Sequence, residues 1–470
     1  MKSFFYFIPI AFLTLCVKGQ GIQQKLSAAY KKFESDSQLK HGISSLYVVE
    51  SKTGKAVFEK NAQIGLAPAS TQKVITSATA FELLGKRYRY KTEFGYKGTV
   101  TKDSFLVGFL SVNGSGDPTP GSWRYSTTRE DGIFFKLIES LKINSIFYYG
   151  NDIDWDNGFF DRQPLPDGWI WQDIGNYYGA GHWSINWREN QINLILKSGN
   201  RIGDSVKIIE TQPHTELGEA VNNMVSAEKG SGDNAYYYFS LGSYPQYIKG
   251  SIPILKDSFS ISIATPNAPL FFQEHFKEYA SKYGVKKLIT VMDNFNGWLD
   301  TLLKSKMKII YTHYSPPLDS MNYWFLKKSI NLYGEAFIKT MAFEKTGFGS
   351  TEKGAEIVKD FWKQKGIDKA AINIVDGSGL SPLNRVTTDA LVKVMQIARA
   401  RPWFNSFYDA LPETNSIKMK SGSISGVRSY TGYIKNKQGI EYTFAFIVNN
   451  YNGSASSAVK KMWQVLDVLK

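Results

Sequence analysis

The amino-acid sequence predicts an α+β protein, in which both ends of the chain build helices and an antiparallel sheet around a large, mainly β insertion. Three observations lead to this class. Residues 22 to 88 alternate helical and strand patterns but are too few for a complete core. Residues 189 to 262 alternate short strands with Gly, Asn and Asp turns. From residue 308 the helical and strand patterns return, ending in three strands and a helix.

The first 19 residues have the pattern of an export signal. Lys2 precedes an apolar run that ends at Cys16 and is too short to span a bilayer. Cys16 is the only cysteine, so cleavage near residue 19 would leave neither a disulfide nor a thiol nucleophile. Lipidation of Cys16 is a weaker alternative, because Leu15 is bulky where a lipoprotein signal has a small residue. We expect an exported protein that works in the periplasm or elsewhere outside the cytoplasmic membrane.

Hydrophobic spacing and turn residues place the elements in order. The first part predicts a helix over 22–35, a hairpin of strands over 42–49 and 55–59, and a helix from Ser70 to about Leu84. The insertion predicts strands over 87–110, a helix over 131–141, an irregular aromatic stretch over 151–187 and a helix over 267–283. The last part predicts a strand over 309–312, helices over 321–343, 355–365, 387–400 and 456–470, and strands over 419–423, 429–435 and 441–449.

Ser70 and Lys73 form a candidate catalytic pair at the start of the second predicted helix. Residues three apart share a helix face, so the Lys73 amine can reach the Ser70 hydroxyl. A serine becomes a good nucleophile when a base takes its proton, and a lysine with a lowered pKa is such a base. The spacing alone is weak, because a chance match or an ordinary helix cap fits it equally well.

Three later stretches complete the pattern. Ser329 and Asn331 offer a hydroxyl and an amide from a helix-associated loop. The predicted strand at 418–423 carries Lys420 and Ser421, and Gly422 allows close approach of a ligand. A glycine-rich loop spans 376–381. Each has an ordinary structural alternative, but Ser-x-x-Lys, Ser-x-Asn and Lys-Ser-Gly in this order form the motif set of β-lactamases and penicillin-binding proteins.

The chain resembles the three-domain D-alanyl-D-alanine carboxypeptidases/endopeptidases, the class C low-molecular-mass penicillin-binding proteins of peptidase family S13. The stretches 68–73, 114–119, 168–171, 376–381 and 420–427 carry the resemblance, which covers nearly all of the mature chain. It implies a penicillin-binding/β-lactamase-like catalytic domain at 20–88 and 308–470. It also implies an inserted domain II at 89–160 and 260–307 and a nested domain III at 161–259. Two departures are Ser421, where the family has Thr, and the apolar Ile330.

The resemblance implies the following roles. Ser70 attacks the carbonyl of a terminal D-Ala-D-Ala bond and forms an acyl-enzyme, while Lys73 accepts its proton. Ser329 relays a proton to the leaving amine, and Asn331 orients Lys73 and the substrate amide. Lys420 supplies positive charge near the terminal carboxylate and helps keep Lys73 neutral.

Three further residues would bind substrate. The Ser421 hydroxyl would bond the terminal carboxylate beside Gly422, and the backbone N–H groups of Ser70 and Ser423 would form the oxyanion hole. Asp156, in the inserted block, is the candidate contact for the amine end of the stem peptide; a solvated loop carboxylate is the alternative. No metal or other cofactor is expected, because the five histidines form no ligand pattern.

The expected partners are peptidoglycan stem peptides, with β-lactam antibiotics as covalent inhibitors. The formal net charge of +14 has two open interpretations: peripheral association with the membrane or an anionic wall surface, or a dispersed solvated surface. A nucleic-acid partner is not expected of an exported protein. Two other functions remain open at this point: a wall-binding or penicillin-sensing protein without turnover, and a serine β-lactamase or esterase.

Overall fold

A computed structural model describes residues 21–155, 158–215, 217, 220–240, 243–288 and 302–470 of the chain. The predicted export signal lies outside the described residues. Within the described ranges, no helix has the length and apolar composition needed to cross a membrane.

The helices and strands fall into three parts of the chain: a first part, the insertion and a last part. The first part contains α1 (Ile22–Glu34), β1 (Ile43–Glu50), β2 (Ala56–Lys60), a short 3-10 helix (Ala69–Gln72) and α2 (Lys73–Leu83). The insertion contains β3 (Lys91–Val100), β4 (Phe105–Asn113), α3 (Glu130–Ile143), β5 (Tyr148–Tyr149), α4 (Trp171–Ile174), β6 (Gln191–Lys197), β7 (Lys207–Gln212), β8 (Ala220–Ala227), β9 (Asn234–Ser240), β10 (Ser243–Pro253), β11 (Phe259–Ala264), α5 (Ala268–Lys282), β12 (Lys286–Lys287) and β13 (Lys308–Tyr314). The last part contains α6 (Leu318–Lys327), α7 (Asn331–Thr346), α8 (Thr351–Gln364), β14 (Ile372–Asn373), β15 (Arg385–Val386), α9 (Thr388–Arg399), α10 (Phe404–Ala410), β16 (Glu413–Thr414), β17 (Ile417–Ile424), β18 (Val427–Lys435), β19 (Glu441–Asn449) and α11 (Ala455–Leu466).

The main sheet joins the two ends of the chain. Its six strands run in the order β16-β17-β18-β19-β1-β2, with antiparallel neighbours throughout. Side chains alternate between the two faces of a strand, so Phe444 and Phe446 of β19 pack toward α1 and α11, whereas Ala445 and Ile447 pack toward the larger group of helices. Both faces are therefore covered, and the predicted α+β class is confirmed.

The larger helical layer contains the segment on which Ser70 lies. Residues of α2 are buried almost throughout, among α6, α7, α8 and α9. Such a helix has no solvated polar face, and its buried polar side chains Thr76, Ser77 and Thr79 each make a hydrogen bond within the protein. The Thr387 side chain accepts from the Ala390 N–H and caps α9, where a helix opened by Thr388 and Asp389 was expected.

One predicted helix is interrupted. The apolar pattern over 321–343 is a single run in the sequence, but the structure divides it into α6 and α7. Ser329 lies between them with φ 57°, in the left-handed region that non-glycine residues rarely adopt. The prediction of one helix was wrong because the apolar spacing continues across the break, and a single residue changes the chain direction.

In its described residues, the insertion contains three sheets around a shared core. One has five strands in the order β12-β5-β4-β3-β13, and two have three strands each, β11-β6-β7 and β8-β10-β9. Strand pairing bears on the domain boundaries, since β13 pairs with β3 and β11 pairs with β6. We therefore propose that the inserted region extends to Tyr314 and that the nested unit includes β11 up to Ala264.

Candidate active site

Ser70 lies on the 3-10 turn that leads into α2, held by close backbone contacts. Ala69, just before it, has φ 47°, a strained conformation for a residue with a side chain. A Cβ added at Gly379 would lie 2.1 Å from the Ala69 carbonyl oxygen, and one added at Gly422 would lie 2.9 Å from the Ser70 nitrogen. Both glycines let neighbouring segments pack directly against the turn. The position of Ser70 is thus fixed from two sides.

Lys73 is fully buried, and its Nζ has three oxygen partners. It lies 2.9 Å from Ser70 Oγ, 2.6 Å from Asn331 Oδ1 and 2.7 Å from the carbonyl oxygen of Ser378. The amide and backbone oxygens only accept hydrogen bonds, whereas a hydroxyl also donates. A neutral amine has two N–H groups and one lone pair. The lone pair of neutral Lys73 is therefore left to the Ser70 hydroxyl proton.

The environment favours the neutral form of Lys73. Burial lowers its pKa well below the usual lysine value, and the nearby charge of Lys420 lowers it further. Asp376 and Glu335 act in the opposite direction but are the smaller influences. Burial also raises the pKa of Glu335 to about 8. A lysine held in this way can accept a proton near neutral pH.

Ser329 and Asn331 reach the site from the break between α6 and α7. The left-handed turn at Ser329 ends one helix, and Asn331 begins the next. Asn331 accepts from Lys73 and donates through Nδ2 to the carbonyl oxygen of Tyr178, at 2.7 Å. Tyr178 belongs to the insertion, so the insertion takes part in orienting the amide that faces Lys73.

Strand β17 forms the other side. Lys420 is buried and donates to the backbone oxygen of Ser421 at 2.7 Å, and burial lowers the Lys420 pKa to about 7. Ser421 and Ser423 are exposed. Gly422 was expected to admit a ligand, but what approaches it is the chain itself: an added Cβ would lie 2.6 Å from the Pro68 oxygen. Approach of a ligand to Gly422 stays a prediction.

The glycine-rich loop at 376–381 is held by one carboxylate. Asp376 is fully buried and accepts five hydrogen bonds at 2.7–3.0 Å. The donors are Gln72 Nε2, Trp169 Nε1, Asn384 Nδ2 and the N–H groups of Gly379 and Ser381. Asp376 thereby ties the loop to the turn carrying Ser70 and to the insertion, and places the Ser378 carbonyl against Lys73.

A cleft of about 720 Å³ opens over these residues. Ser70, Ser329, Asn331 and Ser423 line it, whereas Lys73, Lys420, Ser421 and Gly422 are not part of its lining. The insertion contributes Arg124 and Asp173 to its wall. The structure thus gathers Ser70, Ser329, Ser423 and the amide of Asn331 around one cleft, with the two lysines buried close to them, whereas Ser421 lies outside its lining.

Other predictions have different outcomes. Asp156 lies outside the described residues, and its neighbours Asp154 and Asp161 pair with Lys97 and Lys339. The sequence motifs did not single out Tyr178, Glu335 or Asp173 as site residues, and Asp376 gave a signal only as the acidic residue of the 376–381 motif. In the described part of the chain, no group of three or more His, Cys, Asp and Glu side chains is placed to hold a metal ion.

The fold and this site define a serine-type hydrolase. The chain belongs to the D-Ala-D-Ala carboxypeptidase 3 (S13) family, whose model matches residues 26–468. It is accordingly a serine-type D-Ala-D-Ala carboxypeptidase. Family membership therefore favours an enzyme over a wall-binding or penicillin-sensing protein without turnover.

Individual relatives agree with this family. The D-alanyl-D-alanine carboxypeptidase of Actinomadura sp. (strain R39) is 26% identical, over 90% of this chain and 81% of that protein. The D-alanyl-D-alanine carboxypeptidase DacB of Haemophilus influenzae is 23% identical, over 86% of this chain and 85% of that protein. The crystal structure of penicillin binding protein 4 (dacB) from Haemophilus influenzae superposes with a TM-score of 0.76 at 19% identity, covering 94% of this chain and 98% of that one.

Proposed function

We propose that this protein removes the terminal D-alanine of peptidoglycan stem peptides through a Ser70 acyl-enzyme, and that β-lactams acylate the same serine. The observation that carries the proposal is the contact of Lys73 Nζ with Ser70 Oγ, at 2.9 Å, inside a set of acceptors that leaves the lysine lone pair to Ser70. The names of the Actinomadura and Haemophilus relatives support the substrate class. A structure of the Haemophilus protein complexed with a β-lactam supports β-lactam binding.

The acylation step follows from these positions. Lys73 takes the Ser70 proton as Oγ attacks the D-Ala-D-Ala carbonyl, and the N–H groups of Ser70 and Ser423 hold the oxyanion. The C–N bond then breaks as the proton held by Lys73 passes through the Ser329 hydroxyl to the leaving amine, which departs as D-alanine. Water attacks the ester and returns Ser70 to its starting state. No step draws on a metal or cofactor.

Strand β17 offers a place for the peptide backbone. Within the described residues, β16 pairs with β17 only at Ile417 and Lys418, so the stretch from Lys420 to Ile424 has one strand neighbour, β18. A peptide in extended form can add to such an edge. In this arrangement the terminal carboxylate would lie near Ser421 and Lys420.

The insertion supplies a carboxylate for the other end of the substrate. Asp173 lines the cleft and accepts from the Tyr178 hydroxyl at 3.2 Å. We propose Asp173, alongside the earlier candidate Asp156, as a contact for an amine on the stem peptide. Burial raises the Asp173 pKa, so an ammonium partner would favour its charged form.

The pattern of residues 1–19 leads us to propose that the protein is exported and acts outside the cytoplasmic membrane. DD-endopeptidase action on cross-linked peptides is a second candidate, because it breaks the same bond with a larger leaving group. Peripheral binding to membrane or wall anions stays a proposal based on the formal net charge of +14.

The test uses purified muropeptides, both monomers with D-Ala-D-Ala ends and cross-linked dimers, followed by mass analysis. We expect the monomer to lose one D-alanine and Ser70→Ala to lose both this release and covalent labelling by fluorescent penicillin. Labelling of Ser70→Ala would rule out Ser70 as the nucleophile. Conversion of dimers to monomers would add the endopeptidase activity.

A further inference from the structure

Arg124 is a cleft residue to which the mechanism above assigns no role. Its guanidinium lies between two indole rings, 5.4 Å from the centre of Trp123 and 5.3 Å from that of Trp324. Nε donates to Glu189 Oε1 at 2.8 Å. The side chain is 17% exposed, and it lines the same cleft as Ser70. Arg124 is thus held in one orientation at the wall of the cleft.

The carboxylate of Glu189, which accepts from Arg124, is itself held by several contacts. Glu189 is fully buried, and its Oε1 also accepts from Ser122 Oγ at 2.7 Å and from the Tyr333 hydroxyl at 2.9 Å. It lies in the middle of three consecutive non-glycine residues with φ of 53–55°, the left-handed region. Such strain persists where surrounding contacts impose it and is concentrated at functional sites. Here the strained turn places the Glu189 carboxylate within hydrogen-bond distance of Arg124 Nε.

The remaining donors of Arg124 point to a ligand. Among the described residues, Nε of Arg124 donates to Glu189 while neither Nη1 nor Nη2 makes a hydrogen bond, and neither of these two atoms is fully buried. Since Arg124 lines the cleft, its Nη groups are accessible to a ligand that enters there. A guanidinium presents its N–H groups as a fork that matches the two oxygens of a carboxylate. The unused side of Arg124 therefore fits an anionic, planar group in the cleft.

We propose that Arg124 is a specificity-determining residue that binds a carboxylate on the acyl part of the substrate peptide. The proposal rests on the proposed function, in which the carboxylate of the leaving D-alanine lies near Lys420 and Ser421. Arg124 belongs to a different wall of the cleft, made by the insertion and α6, so it contacts another part of the peptide. Peptides in which that carboxylate is amidated will be poorer substrates.

The test compares a D-Ala-D-Ala peptide having free carboxylates on its acyl part with versions in which each is a carboxamide in turn. For the wild-type protein, one amidation should lower kcat/KM for D-alanine release about tenfold, mainly through KM, as expected for loss of a charged hydrogen bond. In Arg124→Gln the acid peptide should fall to the level of that amide, and the amide should change less than about twofold. Competition of each peptide with fluorescent penicillin reports binding without turnover.

Arg124→Gln leaves Glu189 buried without its cation and could therefore destabilise the fold. Two further variants separate such an effect from a loss of ligand binding. Arg124→Lys keeps a charge beside Glu189 but lacks the fork, and the double variant R124Q/E189Q removes both charges; both should lose the acid preference. Arg428→Gln is the matched control, because Arg428 also lines the cleft but donates to the backbone oxygens of Ile424 and Val427. It should keep the acid-to-amide ratio.

Three results would overturn the proposal. They are equal losses on acid and amide peptides in the Arg124 variants, no effect of any amidation on the wild-type protein in either release or competition, and loss of the ratio in Arg428→Gln instead. Absence of D-alanine release from every peptide by the wild-type protein is a different outcome, which would count against the proposed function. The competition measurement still decides the role of Arg124 in that case.

Discussion

The side-chain amide of Asn331 lies between two groups: its oxygen accepts from Lys73 Nζ at 2.6 Å, and its nitrogen donates to the Tyr178 carbonyl at 2.7 Å. These contacts fix which way the amide points. The oxygen therefore faces the lysine because the insertion accepts from the nitrogen. A segment far from Ser70 in sequence thus sets the surroundings of the proposed base.

The pH dependence of acylation tests Lys73 as the base. The proton acceptor must be neutral, so the rate of penicillin acylation should rise as pH increases through the Lys73 pKa. Since burial and Lys420 lower that pKa, the rise should be complete well below pH 10.5, the usual lysine pKa. Lys73→Ala should slow acylation by about 10²–10⁴-fold. Stopped-flow labelling from mildly acidic to alkaline pH measures both; near-normal acylation in Lys73→Ala would remove this residue from the role.

Lys420→Gln should move that pH profile. Removing a nearby like charge raises the pKa of Lys73, so the acid limb of acylation should shift to higher pH. The Lys420 pKa is itself lowered to about 7, so its repulsion acts mainly below that pH. Comparing the profiles of the variant and the wild-type protein gives the shift. A profile that falls in amplitude without moving would limit Lys420 to binding the carboxylate.

The sequence motifs identify the side chains around Ser70 because each motif carries a group with a chemical role. The contribution of Tyr178 is invisible in the sequence, since a backbone carbonyl belongs to every residue. Glu335 gives no signal either: it lies within a helical apolar run, and only the packing of Gly377 against α7 shows that it accepts the Gly377 N–H.

The elements were easier to predict than their breaks. Strand alternation and capping residues are local properties, and they gave the hairpin of β1 and β2 and the helix α9. The break at Ser329 depends on tertiary contacts that impose φ 57° on a residue with a side chain. The same holds for Glu189, whose left-handed conformation cannot be read from its neighbours in sequence.

Gly422→Ala should disable the site through sterics alone. The new Cβ would lie 2.3 Å from Ser429 Oγ, 2.6 Å from the Pro68 oxygen and 2.9 Å from the Ser70 nitrogen. Moving the Ser70 turn by a fraction of an ångström misaligns the nucleophile, so acylation should fall about 100-fold or more. Gly132→Ala is the matched control, because its Cβ would meet no atom within 4 Å. Labelling rates of the two variants decide the matter, and equal rates would contradict the steric explanation.

The ion pair of Lys339 and Asp161 links α7 to the insertion, and its two members should differ in their effect on stability. Lys339 is 1% exposed and Asp161 22% exposed, with Nζ 2.5 Å from Oδ1. Asp161→Ala leaves a buried ammonium, and we expect a loss of about 3–5 kcal/mol in the free energy of unfolding. Lys339→Met leaves a carboxylate that water can reach, so the loss should be smaller, about 1–3 kcal/mol.

Urea unfolding of both variants measures this order. Lys369→Met serves as the control, since Lys369 pairs with Asp360 at 2.8 Å on the surface, where both side chains are more than a third exposed. Because water screens an exposed pair, Lys369→Met should cost less stability than either Asp161→Ala or Lys339→Met. A larger loss for Lys339→Met than for Asp161→Ala would show that the lysine stem, rather than the charge, stabilises the contact between α7 and the insertion.

Asp173→Asn tests whether Asp173 or Asp156 of the insertion binds an amine on the substrate. Asp173 lines the cleft, and the substitution keeps an oxygen that can accept from the Tyr178 hydroxyl while removing the charge. For stem peptides with a free amine on the residue before D-Ala-D-Ala, kcat/KM should fall by about tenfold, and for N-acetylated versions it should stay within about twofold, because a charged hydrogen bond contributes roughly 1.5–3 kcal/mol. Asp156→Ala, measured on the same peptides, is the competing variant. If only Asp156→Ala removes the preference for the free amine, the contact belongs to Asp156; if neither does, the substrate amine is not read by these carboxylates.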